Sequence, residues 1–563
     1  MKIVIVGGVA GGATAAARIR RLDEQAQIIV FERSGYVSYA NCGLPYYIGD
    51  VITDPEALTL QTPESFFKRF RVTMKVHHEV TALHPERKTV SVKNLTTGEV
   101  FEESYDKLIL SPGAKPTQPK LPGIDMEKVF TLRTVEDTFR LKKYIETKKP
   151  TSAVLAGGGF IGLELAENLK DLGIDVTIVQ RPKQLMNPFD ADMASFIHNE
   201  MRKHGVKLLL GRTVEGFEEK GETIRVLLKD EQPLHADLVV LAIGVTPDTH
   251  LAKEAGLQLG IKDSIVVNDR METSIPDIYA AGDAVMVKHY VTGLDALISL
   301  AGPANKQGRI IADNICGGDS HYLGSQGSSV IKVFDLTAAT TGINETNARK
   351  AGLDVDTVIL SPMNHAGYYP GGKVMTMKVV FEKNTYRLLG AQIVGYEGVD
   401  KRIDVLSTAI HANLKATSLQ DLDLAYAPPY SSAKDPVNMA GFMIDNIANG
   451  VLKQWHLSDL TSVLQDSNAT LLDVRTISEY EHSHIEGFKN IPVDELRDHL
   501  SEIEKDKPVY VICQSGLRSY IATRILSQNG YDAYNFAGGF RFYEAVMHDR
   551  SLVEKETACG MDL

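Results

Sequence analysis

The chain has 563 residues, of which 44% are hydrophobic and 23% charged, and a formal net charge of −12. That length is too great for one hydrophobic core and predicts about three to four domains of ordinary globular composition. The acidic balance argues against non-specific nucleic-acid binding, and no apolar run approaches the ~18 residues that a membrane span requires.

The N-terminus, "MKIVIVGG", enters a strand pattern at once and leaves no room for a secretory signal. Ile3–Val6 is predicted as a buried strand, "GGVAGG" as a turn, the alanine-rich Ala13–Leu22 as a helix, and Ile28–Arg33 as a second strand. Gly7 and Gly12 hold the outer positions of a G-x-G-x-x-G turn, while Val9 takes the middle one. Such a turn lets backbone N–H groups and a helix N-terminus approach a pyrophosphate. Glu32 and Arg33 close the following strand, where a carboxylate can bind a ribose hydroxyl.

"SYANCGLPYY" (Ser38–Tyr47) holds Cys42 with no second cysteine nearby. The strand "YDKLILSPGAKP" (Tyr105–Pro116) follows, and at Ala153 the first pattern returns. Here all three glycines are present, Gly157, Gly159 and Gly162. The next strand ends in Gln180, which can bond a ribose hydroxyl, and Arg181, which can meet a 2′-phosphate, so NADH and NADPH both stay open. "ADLVVLAIGVTPD" (Ala236–Asp248) echoes the earlier strand, and "IPDIYAAGDAV" (Ile275–Val285) is a third such piece. From Ser328 through Asn446 the texture becomes β-rich. Asn449–Leu460 reads as a linker into a last unit of alternating strands and helices.

Cys42, Cys316, Cys513 and Cys559 are too few for a disulfide framework and lack zinc-ligand spacing, so no metal is expected. A reducing, cytoplasmic setting is expected, with any important cysteine reactive. Cys316 in "NICGG" reads as structural, and Cys559 in "TACGMDL" as part of a disordered tail. A thiolate at a helix start beside a flavin would be stabilised. With no cysteine neighbour, Cys42 can form a mixed disulfide with a small thiol or cycle through a sulfenic acid.

Two dinucleotide units in one chain point to electrons passing from a nicotinamide to a flavin. Over about residues 1–447 the chain resembles the flavoprotein disulfide reductases with two dinucleotide-binding domains, and within them the coenzyme A-disulfide reductases. The resemblance rests on "NCGLPYYIG", "KLILSPGA", "GYEGVDKRIDVLS" (Gly395–Ser407) and "YAPPYSSAKDP" (Tyr426–Pro436). It implies FAD, with Asp283 on the ribityl chain, and coenzyme A as the small thiol. Related NADH peroxidases and oxidases carry a histidine where this chain has Ala10, which favours the mixed disulfide. The resemblance places Thr14, Arg18, Arg21, Ser38 and Asn41 along the coenzyme A channel, with Asn305 and Lys434 near it. Arg18 and Arg21 share a helix face, and Arg20 points elsewhere. Where the family has a lysine this chain has Phe70, and Arg71 or Lys68 stands in. Tyr368 and Tyr426 are expected from the partner subunit, as proton donors to a leaving thiolate, so the protein is expected to be a homodimer.

The last unit resembles a rhodanese domain through Asp473, Arg475, His484, Gly487 and Pro492. Its active loop would be the six residues Cys513–Arg518, whose backbone N–H groups and Arg518 stabilise a persulfide on Cys513. The expected fold class is α/β with one α+β domain. Residues 1–148 and 248–325 would form a Rossmann-like FAD domain, and 149–247 a Rossmann-like NAD(P)H domain. An α+β dimerisation domain (326–447) and an α/β rhodanese domain (455–555) would follow. The expected activity is NAD(P)H-dependent reduction of coenzyme A disulfide, coenzyme A persulfide or polysulfide through Cys42, with Cys513 delivering sulfane sulfur. Alternatives are an NADH oxidase or peroxidase with a sulfenic Cys42, a sulfurtransferase regulated by its flavoprotein part, and a redox sensor.

Overall fold

The N-terminal apolar run forms the strand Lys2–Val6, with four of its five residues buried. It stands in the middle of a five-stranded parallel sheet ordered Ile278–Ala280, Lys107–Leu110, Lys2–Val6, Gln27–Phe31, Thr73–Lys75. A second parallel sheet repeats that plan around Ser152–Ala156, with Asp175–Gln180 and Lys207–Leu210 on one side and Leu238–Leu241 and Val129–Thr131 on the other. In both, the strand order reverses beside the strand that leads into the glycine turn. That is where an open α/β sheet leaves a crevice for a ligand.

The computed structural model describes residues 1–558, and side chains through 553; Cys559 lies outside the described residues. One unit comprises Met1–Lys183 and Gly205–Gly327, and the other Gln184–His204 with the chain from Ser328 on. In the first unit, the helix Ala10–Leu22 buries Ala13, Ala15 and Ala16 and packs on the helix Ala301–Ile315. The approach is close: a Cβ on Gly308 would strike the Gly11 carbonyl. Small residues on both helices allow it.

The second unit holds an antiparallel sheet ordered Ser329–Val333, Leu336–Gly342, Leu388–Gly395, Met375–Glu382, Val355–Leu360. It also holds a parallel sheet ordered Gln454–Trp455, Ala533–Phe536, Val509–Ile512, Thr470–Asp473, Lys489–Asn490. The stretch Asn449–Leu460, read as a linker, supplies the first of these strands. Trp455 is buried there, 4.4 Å from the Phe536 ring, and an aromatic that large does not stay in a solvated linker.

The segment Gln184–His204 belongs with the second unit, where it buries Met193, Ala194, Ile197 and Met201 and makes ion pairs. Buried Lys378 meets Asp190 (3.2 Å), Asp192 (2.7 Å) and Glu345 (2.9 Å), and these carboxylates raise its pKa despite burial. On the helix Ala191–Lys203, His198 and Arg202 both bond Asp549 of the long helix Gly539–Ala558. No helix among the described residues is long and apolar enough to cross a membrane.

Candidate functional site

Each glycine turn is closed by the polar residue at the end of the following strand. Glu32 accepts from the Gly8 N–H (2.9 Å), and Gln180 from the Gly158 N–H (3.0 Å). Burial pushes the Glu32 carboxyl up, against the bonds from Gly8 and Ser34. A Cβ on Gly7 would strike the Ser111 carbonyl, and one on Gly12 the Gly7 carbonyl; Gly157 and Gly162 are confined in the same way. Gly159 faces open space, as a turn that receives a phosphate group must. In front of the first turn lies a cavity of about 340 Å³ lined by Gly7, Glu32, Arg33, Pro112 and Asp248. Arg33 is held there by Asp248 at 2.8 Å. Shape and donor set fit the adenosine end of a dinucleotide at the first turn, and the second turn offers the matching cradle.

Cys42 sits in the 3₁₀ turn Asn41–Gly43, ahead of the one-turn helix Leu44–Ile48, with its thiol exposed. The expected stabilisation by a helix start does not hold in the protein alone. Burial of the surrounding turn pushes the Cys42 thiol up, Glu164 pushes it further, and the Arg133 guanidinium works against both. A single helical turn supplies too little aligned dipole to reverse that.

Arg133 links the thiol segment to Asp283, bonding Asp283 at 2.6 Å. With the Asn41 amide oriented to satisfy both partners, Asn41 donates to the Arg133 carbonyl (2.9 Å) and accepts from Arg133 Nη1 (3.2 Å). Ser38 takes a left-handed conformation (φ 48°) and donates its N–H to the Gly8 carbonyl at 2.8 Å, which ties the cysteine segment to the glycine turn. Non-glycine residues held at positive φ concentrate at functional sites.

Burial, with Glu167 adding to it, pushes the Glu164 carboxyl up to about 7, while its bond to Tyr46 lowers it. Glu164 thus stays protonated below about pH 7 and adds a negative charge beside Cys42 above it. Glu164→Gln removes that charge, so the pH midpoint for Cys42 alkylation by iodoacetamide falls. A midpoint that rises or stays put contradicts this charge balance.

Of the residues expected along a coenzyme A channel, those of the first unit come together in part. Thr14 donates to Asn305 Oδ1 (2.5 Å), and Arg18 pairs with Asp313 (2.8 Å), both across the helix pair. Arg21 is exposed, and Arg71 caps its helix at φ 49° with its guanidinium 5.2 Å from the Phe67 ring. Arg20 is buried and spends its donors on the carbonyls of Phe70, Asp23, Glu24, Ala26 and Arg71. Cys316 follows directly on the helix Ala301–Ile315.

In the second unit, Tyr368 and Tyr426 meet hydroxyl to hydroxyl at 2.6 Å, and Tyr368 is 75% exposed. That bond raises the Tyr426 pKa. Of the two hydroxyl protons in such a pair one lies outside the mutual bond, and it can be given to a departing thiolate. Tyr369 and Tyr430 lie outside the pair; Lys434 is exposed on the Tyr426 loop.

Cys513 is fully buried, between the strand Val509–Ile512 and the helix Leu517–Gln528. Its sulfur accepts from the Gly516 N–H (3.1 Å) and from Ser519 Oγ (3.2 Å). Arg518 forms two 2.7 Å bonds to Glu479, which pull that carboxyl down to about 2. The loop is therefore braced by the Arg518–Glu479 pair, while the sulfur itself is held by a backbone N–H and a hydroxyl.

Arg133, Glu164, Glu479 and Ser519 were not legible as site residues. Ser519, one position past Arg518, carried a signal in its adjacency to the loop. The others are brought in from distant elements.

A family model for pyridine nucleotide-disulphide oxidoreductases matches residues 1–308, the dimerisation domain of the same family matches 328–436, and a rhodanese-like domain matches 456–545. The coenzyme A disulfide reductase of Staphylococcus aureus (strain JH9) is 38% identical over 442 residues, covering 78% of this chain and 99% of its own. The crystal structure of reduced Bacillus anthracis CoADR-RHD is 49% identical, with a TM-score of 0.95 over 98% of each chain. The NAD-dependent persulfide reductase from A. fulgidus is 38% identical, with a TM-score of 0.90 over 96% of this chain and 100% of its own.

Proposed function

Because the chain belongs to the pyridine nucleotide-disulphide oxidoreductase family, we propose that it is an NAD(P)H-dependent flavoprotein that reduces coenzyme A disulfide and coenzyme A persulfide through Cys42. Polysulfides of the same sulfane chemistry belong to the same substrate class. Gly7, Gly12, Glu32, Arg33 and Asp283 would hold FAD, and Gly157, Gly159, Gly162 and Gln180 the nicotinamide dinucleotide. Bound FAD supplies the two-electron relay between the nicotinamide and the thiol site.

Cys42 attacks as thiolate. With coenzyme A disulfide it forms Cys42–S–S–CoA and expels one coenzyme A thiolate; with coenzyme A persulfide it forms the same mixed disulfide and expels HS⁻. Arg133 offsets the charge on the attacking sulfur and holds Asn41 beside it. Thr14, Arg18, Arg21, Ser38, Asn41, Arg71 and Asn305 bind the coenzyme A. The match of residues 328–436 to a dimerisation domain supports a homodimer. Tyr368 and Tyr426 of the partner subunit supply the proton to the departing coenzyme A thiolate.

At the C-terminal domain Cys513 takes the outer sulfur of a donor such as thiosulfate, forming a persulfide and releasing sulfite. A coenzyme A thiolate then attacks that outer sulfur, regenerating Cys513 and carrying the sulfur away as coenzyme A persulfide. That product is the substrate of the Cys42 reaction, so the protein makes and consumes one intermediate in a reducing, cytoplasmic setting.

The observation that carries this reading is Cys42 itself, an exposed thiol with no disulfide to another cysteine of the described chain. Its exchange partner is then a small thiol. Denaturing the purified protein, adding reductant and weighing the released small molecules is expected to give FAD and one coenzyme A per chain. Release of FAD without coenzyme A, after incubation with coenzyme A disulfide, would refute the mixed disulfide.

A further inference from the structure

In the second unit, Arg402 is 1% exposed, on the helix Val399–His411. Its guanidinium reaches two loops at once. Nη2 donates to the Asn364 carbonyl (2.9 Å) at the start of the loop that carries Tyr368. The same nitrogen bonds Ser431 Oγ (3.1 Å) and Asp435 Oδ2 (2.9 Å), which belong to the loop that carries Tyr426 and Lys434. Nη1 donates to the Gly398 carbonyl at 3.1 Å. Gly398 stands at φ 71°, and a Cβ there would collide with Nη1, so this placement of the arginine requires a glycine at 398.

The two loops are also joined directly, since the Ala366 N–H donates to the Ser431 carbonyl at 2.9 Å. Ser431 Oγ bonds Asp435 at 2.7 Å, and Asp435 caps the helix Pro436–Ala448 by accepting from the Val437 N–H at 3.0 Å. Neighbouring Lys401 donates to the Ala425 carbonyl at 3.4 Å, one residue before Tyr426. Arg402, Ser431 and Asp435 thus form a buried knot beneath an exposed tyrosine pair.

Stability alone does not account for that knot. A fully buried ion pair is commonly no better for stability than apolar packing of the same volume. Here Arg402 Nε is also left without a partner among the described residues, which adds a cost. What the arrangement does supply is relative position. A 2.6 Å bond between hydroxyls on loops 58 residues apart in sequence survives only if both loop backbones are held in one register.

We propose that Arg402 is a positioning residue, whose fork to Asn364, Ser431 and Asp435 sets the Tyr368–Tyr426 pair for proton delivery to the coenzyme A thiolate. The inference rests on the reading of the two tyrosines given above. Arg402 touches neither substrate nor phenol; it acts through the loops it clamps.

The test uses the FAD-loaded dimer and four proteins: wild type, Asp435→Asn, Tyr368→Phe/Tyr426→Phe, and the triple variant. Two activities are read, coenzyme A disulfide reduction and NAD(P)H-dependent ferricyanide reduction, which needs no coenzyme A site. Asp435→Asn is expected to lower kcat/KM for coenzyme A disulfide by about tenfold, as small misplacements of catalytic groups do, and to leave ferricyanide reduction unchanged. Added to the double Phe variant, it is expected to cost nothing further. Ser431→Ala, which removes the Ser431 hydroxyl bonds to Arg402 and Asp435 but no charge, carries the same expectation with a smaller loss if Asp435→Asn does not fold. Unchanged disulfide kinetics in the Asp435 or Ser431 variant overturn the inference, as does a loss that multiplies with the double Phe loss. If instead the double Phe variant matches wild type, the tyrosine reading itself falls.

Discussion

Cys42→Ser abolishes reduction of coenzyme A disulfide and coenzyme A persulfide, with a fall of about 10⁴-fold or more, the scale seen when a nucleophile is removed. Serine nearly matches cysteine in size, and Cys42 is exposed in a turn, so the fold survives the exchange. The hydroxyl cannot be oxidised to a mixed disulfide and is far too weak an acid to attack one at neutral pH. NAD(P)H-dependent ferricyanide reduction is expected to persist, because the glycine turns and the Arg133–Asp283 pair are untouched. The denatured variant should release FAD but no coenzyme A. Full persulfide reduction by the serine variant would rule the mechanism out, since no other described thiol shares its setting: Cys316 lies at a helix end and Cys513 has its own cradle. Oxygen or peroxide consumption indifferent to coenzyme A would point to the sulfenic alternative.

Cys513→Ala removes the other half of the chemistry and spares this one. Transfer of sulfane sulfur from thiosulfate to coenzyme A is expected to fall to the uncatalysed rate, because Gly516 N–H and Ser519 Oγ then surround no sulfur. Reduction of added coenzyme A disulfide should match wild type. Sulfide release from thiosulfate, coenzyme A and NAD(P)H together should stop, yet resume when coenzyme A persulfide is supplied directly. The alanine leaves a void of roughly one sulfur atom in a closed core, a cost of about 1 kcal/mol. A variant that still produced sulfide from thiosulfate would show that Cys513 is not the entry point. One that lost disulfide reduction as well would show that the two thiols do not work independently.

The residues that were legible are those whose role is set by local geometry. A glycine turn must lie between a strand and a helix, and the closing polar residue must end the next strand, so Gly7, Glu32, Gly157 and Gln180 could be placed by spacing. Cys513 came from the resemblance to a rhodanese domain, whose active loop is one contiguous segment between a strand and a helix. Tyr368 and Tyr426 came from resemblance, and no spacing links positions so far apart. The linker reading of Asn449–Leu460 failed because Trp455 is drawn into a sheet completed by Ala533–Phe536, far along the chain. Arg18 and Arg20 could be assigned to different helix faces by periodicity, but only the fold shows Arg20 buried among carbonyls and Arg18 paired with Asp313.

By itself the sequence determined the two glycine turns with their closing residues, since each rests on contacts within one strand–turn–helix segment, and it showed Cys42 without a neighbouring cysteine. Tertiary structure alone decided the charges that act on Cys42 and Cys513. Arg133 and Glu164 reach Cys42 from other elements, Glu479 takes up Arg518, and Arg402 joins two tyrosine loops. Coulomb and hydrogen-bond energies depend on distance in space and on burial, and neither can be read from separation along a chain.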